Sequence, residues 1–96
     1  MLNAIINETL RLNPPLTVVQ REANQDCELL DTGIRIPKGT LISIQPFVIH
    51  RDPNNFPNPL CFRPERFLDE GQDTNPAFMP FGVGPRLCVG LRFAMN

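Results

Sequence analysis

Apolar residues recur at helical spacing at the start of the chain. Leu2, Ile5, Ile6 and Leu10 form a stripe, so residues 1–13 are predicted to be a helix. Pro14-Pro15 ends it, because proline lacks an amide donor and restricts the residue before it. No cap residue precedes the helix, which gives the expectation that the chain is cut from within a larger domain. The pattern then shortens. Residues 17–21 are β-branched and extended, residues 28–30 and 34–36 flank the hairpin-turn signal Asp31-Thr32-Gly33, and residues 41–44 read as a further strand. Pro37-Lys38-Gly39 is a second turn. Residues 46–85 hold eight of the eleven prolines and are predicted to be an extended, polar and aromatic coil. Structureless runs of that length are rare where median loops are roughly 4–6 residues, so side chains must pin it. Phe56, Phe62, Phe67, Phe78 and Phe81 are the expected pins. Residues 89–96 restart a helical pattern.

Composition narrows the function classes. The chain has 96 residues, which allows one domain at most or a piece of one. A formal net charge of −1 argues against a nucleic-acid binder, whose surface is normally basic. No apolar run approaches the roughly 18 residues of a membrane span, and the first ten residues lack the pattern of a signal peptide. Cys27, Cys61 and Cys88 are three and far apart, which does not look like a disulfide framework. With His50, the only histidine, they supply zinc-type ligands but not the paired spacings that zinc sites use.

Candidate chemistry concentrates around Cys88. The segment runs Phe81-Gly82-Val83-Gly84-Pro85-Arg86-Leu87-Cys88-Val89-Gly90. Its glycines let backbone approach something flat and close. Cys88 falls where loop turns into helix, where amides stabilise a thiolate that can ligate metal. Arg86 is a fixed cation suited to a carboxylate. Taken alone, a lone cysteine is more often a small buried hydrophobe. A phosphate loop is excluded, because Leu87 breaks the glycine pattern, Pro85 lacks a donor and no Gly-Lys-Ser/Thr follows.

This stretch resembles the heme-binding signature of cytochromes P450, FxxGxRxCxG, with Phe81, Gly84, Arg86, Cys88 and Gly90 in its five fixed places. The fuller string PFGVGPRLCVGLRFA is similar to the eukaryotic microsomal branch, closest to the animal xenobiotic-metabolising clan. Two further motifs agree in order and spacing. Glu8-Thr9-Leu10-Arg11 fits ExxR of the K helix, and Pro64-Glu65-Arg66-Phe67 fits PERF, whose arginine completes a triad. In isolation Glu8 and Arg11 would be an ordinary i, i+3 pair worth roughly 0.2–0.5 kcal/mol on a surface.

The resemblance implies a mainly α fold with a small β region. It would be the C-terminal part of the cytochrome P450 fold: K helix, short β-strands, proline-rich meander coil, Cys-ligand loop and start of the L helix. Residues 1–96 would then be part of one such domain and no complete domain. It also implies heme b as cofactor, with Cys88 as axial ligand of its iron, Phe81 shielding the sulfur, Gly84 turning the loop, Gly90 admitting the porphyrin and Arg86 on a propionate. Thiolate ligation favours O–O cleavage on the opposite face. Arg21 is a second propionate candidate or an exposed strand arginine. Leu16, Thr17, Val18 and Val19 are substrate-contact candidates or ordinary strand packing. Glu8, Arg11 and Arg66 are expected to lock the coil onto the first helix. His50 is expected to cap the coil or lie near the heme edge.

The implied activity is a monooxygenase inserting one oxygen atom from O2 into a small hydrophobic substrate. Electrons would come from NADPH through NADPH-cytochrome P450 reductase, with cytochrome b5 as a further candidate partner. The implied location is the endoplasmic reticulum membrane, through an N-terminal anchor that this sequence does not contain. The segments supplying proton delivery and the distal wall are also absent from it, so the chain alone is expected neither to hold heme stably nor to turn over. A non-catalytic truncated product and a small heme-binding module are the alternatives.

Overall fold

The computed structural model describes residues 1–68 and 75–95. Coil residues 69–74, and Asn96 at the end of the second helical pattern, lie outside the described residues. Helix α1 is Leu2–Leu12. Four short strands follow: β1 Val19–Glu22, β2 Cys27–Glu28, β3 Arg35–Ile36 and β4 Leu41–Ile44. Helix α2 is Pro46–Ile49 and helix α3 is Leu91–Met95. The arrangement is mixed α/β, with three helices and two small antiparallel sheets.

The strands nest. β1 pairs with β4 from Val19↔Ile44 to Glu22↔Leu41, and the β2–β3 hairpin lies in the connection between them, with Cys27↔Ile36 and Glu28↔Arg35 in register. The Thr32 hydroxyl and the Glu28 carboxylate close the hairpin turn by accepting the Ile34 and Gly33 amides. The predicted strand over 28–30 is shorter than expected. Leu30 leaves the ladder for a 3-10 turn, Leu30–Thr32, with φ +40°.

The coil after β4 is less structureless than its proline content predicts. Pro46 opens α2, at a helix position where a missing amide costs nothing. Single 3-10 turns form at Pro64–Phe67 and Gly84–Arg86, again with proline in the first turn. The Pro64–Phe67 turn packs against α1.

The interior is small and partly polar. Among the described residues Ala4, Ile36, Phe56, Pro14, Pro46 and Pro80 are the buried apolar side chains, whereas Glu8, Arg11, His50 and Arg66 are buried polar ones. The apolar stripe that predicts α1 is not the face that α1 buries. Ala4, Glu8 and Arg11 face inward, while Leu2 and Ile5 are exposed. Phe62, expected as a pin, is exposed. Phe56 is the aromatic floor, with the Arg11 guanidinium 5.4 Å from its ring centre and the His50 ring edge-on at 6.0 Å. Phe67 and Phe78 pack with tilted rings, 4.9 Å between centres, beside them. Among the described residues no helix is long and apolar enough to cross a membrane.

Phe56→Ala removes a fully buried aromatic ring under the charged cluster. It is expected to cost about 3 kcal/mol, as for other buried phenylalanines. A urea unfolding series checks this, and Phe62→Ala should leave the midpoint unmoved.

Candidate functional site: a buried charge cluster and an exposed cysteine loop

Glu8 and Arg11 lie one turn apart on α1 and meet as a forked pair. Arg11 Nε donates to Glu8 Oε2 and Nη2 to Oε1, both at 2.8 Å. Arg66, from the Pro64–Phe67 turn, places Nε 3.2 Å from Oε1 and 3.1 Å from Oε2. The Arg63 amide donates to Oε1 at 2.8 Å. One carboxylate thus accepts from two guanidiniums and a backbone amide.

The remaining guanidinium donors go to the coil. Arg11 reaches the carbonyls of His50 at 2.7 Å and Pro59 at 2.8 Å. Arg66 reaches those of Pro57 at 3.1 Å and Asn58 at 3.4 Å, and both arginines reach Cys61 at 3.4 Å. Arg51 adds a bond of 2.6 Å to the Leu12 carbonyl at the end of α1. Among the described residues no buried side-chain polar atom lacks a partner. Burial opposes ionisation of Glu8, but the Arg11 and Arg63 hydrogen bonds and the Arg11 and Arg66 charges overcome it, so its carboxyl titrates below the ordinary 4.5.

His50 is fully buried and engaged at both ring nitrogens. Nδ1 lies 2.9 Å from the Arg11 carbonyl, and Nε2 accepts the Met79 amide at 3.0 Å. It is therefore unavailable as a metal ligand. Burial, first of all, and the Arg11 and Arg51 charges hold its pKa below the ordinary 6.5, against an opposing hydrogen bond to Arg11 backbone.

The cysteine loop starts from Met79. Its carbonyl accepts the Gly82 amide at 3.3 Å, and the Phe81 carbonyl accepts the Cys88 amide at 3.0 Å. Gly82 and Gly84 sit at φ +79° and +73°, backbone that a Cβ would strain, and so let the chain double back between those bonds. The Cys88 carbonyl accepts the Leu91 amide, so the loop feeds directly into α3.

Cys88 is a free, exposed thiol. A Cβ on Gly90 would lie 3.7 Å from Cys88 Sγ, so glycine leaves the space beside the sulfur open. Among the described residues the Val89 and Gly90 amides donate to nothing and Arg86, exposed in its turn, has no carboxylate partner. A bare sulfur, an uncrowded flank and a cation with no carboxylate partner among the described residues fit a flat, acid-bearing group ligated through iron, which is the group the resemblance implies. Phe81 is half-buried and lines an apolar groove of about 220 Å³ with Phe78, Leu87 and Leu91.

The other expected residues are scattered. Arg21 is exposed on β1, with Nη1 on the neighbouring Gln20 carbonyl. Leu16, Thr17 and Val18 are exposed and Val19 is half-buried, so packing within this chain does not account for them. Sequence reasoning singles out the three charged residues but not their surroundings. It misses the Arg63 amide, the row of coil carbonyls and the double role of His50. A lone histidine in a proline-rich run without metal-site spacing was the available sign.

Known proteins bear on this geometry. The family model for Cytochrome P450 matches residues 1–96. Cytochrome P450 3A29 of Sus scrofa is 47% identical over 96 residues, covering 98% of this chain and 19% of that protein. Cytochrome P450 4V2 of Homo sapiens and thromboxane-A synthase of Mus musculus are each also 47% identical, with 98% of this chain and 18% of theirs covered. The chain thus spans about a fifth of the length of these relatives.

Stability should fall in two steps on acidification. His50 and Glu8 both bind a proton more readily unfolded than folded. The His50 contribution is complete above its ordinary 6.5 and is lost as pH falls toward its lower folded value. The Glu8 contribution is complete above 4.5 and is lost below it in the same way. Urea midpoints across this range check the profile, and Glu8→Gln should remove the second step. That variant also leaves two buried guanidiniums short of their anion, at a cost of about 3–5 kcal/mol at neutral pH.

Proposed function

Because the chain belongs to the cytochrome P450 family, we propose that it is the proximal, C-terminal wall of a heme-thiolate monooxygenase. In this reading residues 1–96 are part of one domain: α1 is the K helix, the proline-rich coil the meander, residues 81–90 the ligand loop and α3 the start of the L helix. The curated relatives are P450 enzymes and thromboxane-A synthase, and all belong to one oxidoreductase family.

When bound, heme b supplies the activation of O2 that inserts one oxygen atom into a hydrophobic organic substrate, with electrons drawn from NADPH. The chain's own residues bind and orient. Cys88 holds the iron as thiolate. The Val89 and Gly90 amides, which have no acceptor among the described residues, would donate toward the sulfur and tune it. Arg86 takes one propionate, and Arg21 is the second cation offered. Phe81 keeps water from the sulfur, and Gly90 keeps the flank clear. Leu16, Thr17, Val18 and Val19 offer small apolar surface toward substrate.

Glu8, Arg11 and Arg66 touch no substrate. They fix the coil, and through it the loop that carries Cys88. NADPH-cytochrome P450 reductase is the proposed electron donor, with cytochrome b5 as a second, at the endoplasmic reticulum membrane. What carries the reading is the exposed Cys88 sulfur with glycine beside it, in a loop whose glycines at 82 and 84 have left-handed backbone.

Ligation is tested by the spectrum of the reduced carbonyl complex in a full-length protein carrying this segment. Cys88→Ala should abolish the signature of thiolate-ligated heme, and an unaltered spectrum would defeat the proposal. Glu8→Gln in the same protein should lower heme content rather than only slow turnover. Hemin titrated into the 96-residue chain alone should give no stable thiolate spectrum. A stable one would favour an autonomous heme-binding module.

A further inference from the structure

Among the described residues one side chain hydrogen-bonds both to the backbone of the charged cluster and to the root of the cysteine loop. His50 has no exposed surface, and both of its hydrogen bonds go to backbone. A backbone carbonyl can only accept and a backbone amide can only donate. The 2.9 Å contact to the Arg11 carbonyl therefore places the ring proton on Nδ1, and the 3.0 Å contact from the Met79 amide leaves Nε2 bare. Neither partner can reverse its role, so a single neutral tautomer satisfies the site.

The two ends of this bridge differ. On one side Arg11 returns the bond, Nη1 donating to the His50 carbonyl at 2.7 Å, so helix and coil clasp each other. On the other side Met79 is the root of the ligand loop, and its carbonyl takes the Gly82 amide. Phe78, next to it, tilts over the His50 ring at 5.7 Å and packs against Phe67, the neighbour of Arg66. No side chain of the Glu8, Arg11, Arg66 cluster hydrogen-bonds to residues 79–88 among the described residues.

We propose that His50 is a positioning residue for Cys88: its Nδ1–H tautomer transmits the fixed geometry of α1 to the root of the ligand loop through the Met79 amide. The inference rests on Cys88 being the functional ligand, but its test does not use heme. Asparagine places an amide donor near Nδ1 and has nothing near Nε2. Glutamine reaches the Nε2 position with an oxygen that can accept. Amide hydrogen exchange on the 96-residue chain therefore separates the two ends.

His50→Asn should speed exchange of the Met79 and Cys88 amides about tenfold, the loss of one buried hydrogen bond. The Asn13 amide, bonded to Thr9 in the end of α1, should keep its rate. His50→Gln should restore slow exchange at both loop amides. If Asn13 also speeds up in the asparagine variant, recovery of Met79 and Cys88 by glutamine still supports the proposal, and absence of recovery overturns it. Unchanged loop amides in His50→Asn overturn it, as does fast Met79 exchange in the unaltered chain. Nitrogen NMR of the His50 ring must show a proton on Nδ1, and one on Nε2 ends the proposal. Failure here would leave heme ligation to be judged by the carbonyl spectrum, and failure there would leave this bridge standing.

Discussion

One carboxylate sets the order of the interior. Glu8 stands between the Arg11 and Arg66 guanidiniums, accepts the Arg63 amide and has no exposed surface. A surface pair at this spacing would contribute a few tenths of a kcal/mol. The same pair in a dry interior is a different object, because an uncompensated buried charge costs several kcal/mol and every partner becomes necessary. Two cations flank one anion here, so the excess positive charge must be spread. Neutral carbonyls of the coil do this, each turning its negative end toward a guanidinium.

That arrangement answers a difficulty posed by the coil. A run rich in proline has few amides for a ladder, and its carbonyls would be left without partners if buried. Two arginines bring donors in rigid forks, and the donors left after Glu8 is satisfied fall on His50, Pro57, Asn58, Pro59 and Cys61. The coil is held by charge-assisted bonds where a sheet would have used ladder bonds and a helix its own. Its order thus depends on an ion cluster more than on apolar area, and Phe56 serves as the floor on which that cluster rests.

The parts legible in the sequence are those decided locally. The stop at Pro14, the hairpin around Asp31-Thr32-Gly33 and the bounds of β4 depend on a few neighbouring residues, and the structure places them where the pattern does. The face buried by α1 was not legible. Periodicity marks Leu2 and Ile5, but the partners that draw Glu8 and Arg11 inward come from residues 50–66, far along the chain. Motif resemblance names the three charged residues together and leaves their geometry open. α2 is hidden by the same proline that starts it, since proline reads as a breaker unless the first turn of a helix is already suspected. Phe62 and Phe56 look alike in sequence, and only the position of the cluster decides that one is buried and the other exposed.

The division between a rigid interior and an open loop has a chemical logic. In the proposed reading the sulfur is a ligand and must be presented bare, and Cys88 is exposed with no side chain on its Gly90 flank. Bareness costs packing, and the loop's own amides offer little in return: the Cys88–Phe81 bond and the Gly82–Met79 bond close it only upon itself. Rigidity must then be imported from outside the loop. The described side chain that hydrogen-bonds its root is a histidine whose other nitrogen is bonded to the backbone of Arg11, itself bound to Glu8. In the proposed bridge the charge cluster, remote from the sulfur in sequence, is the foundation from which the sulfur would be aimed.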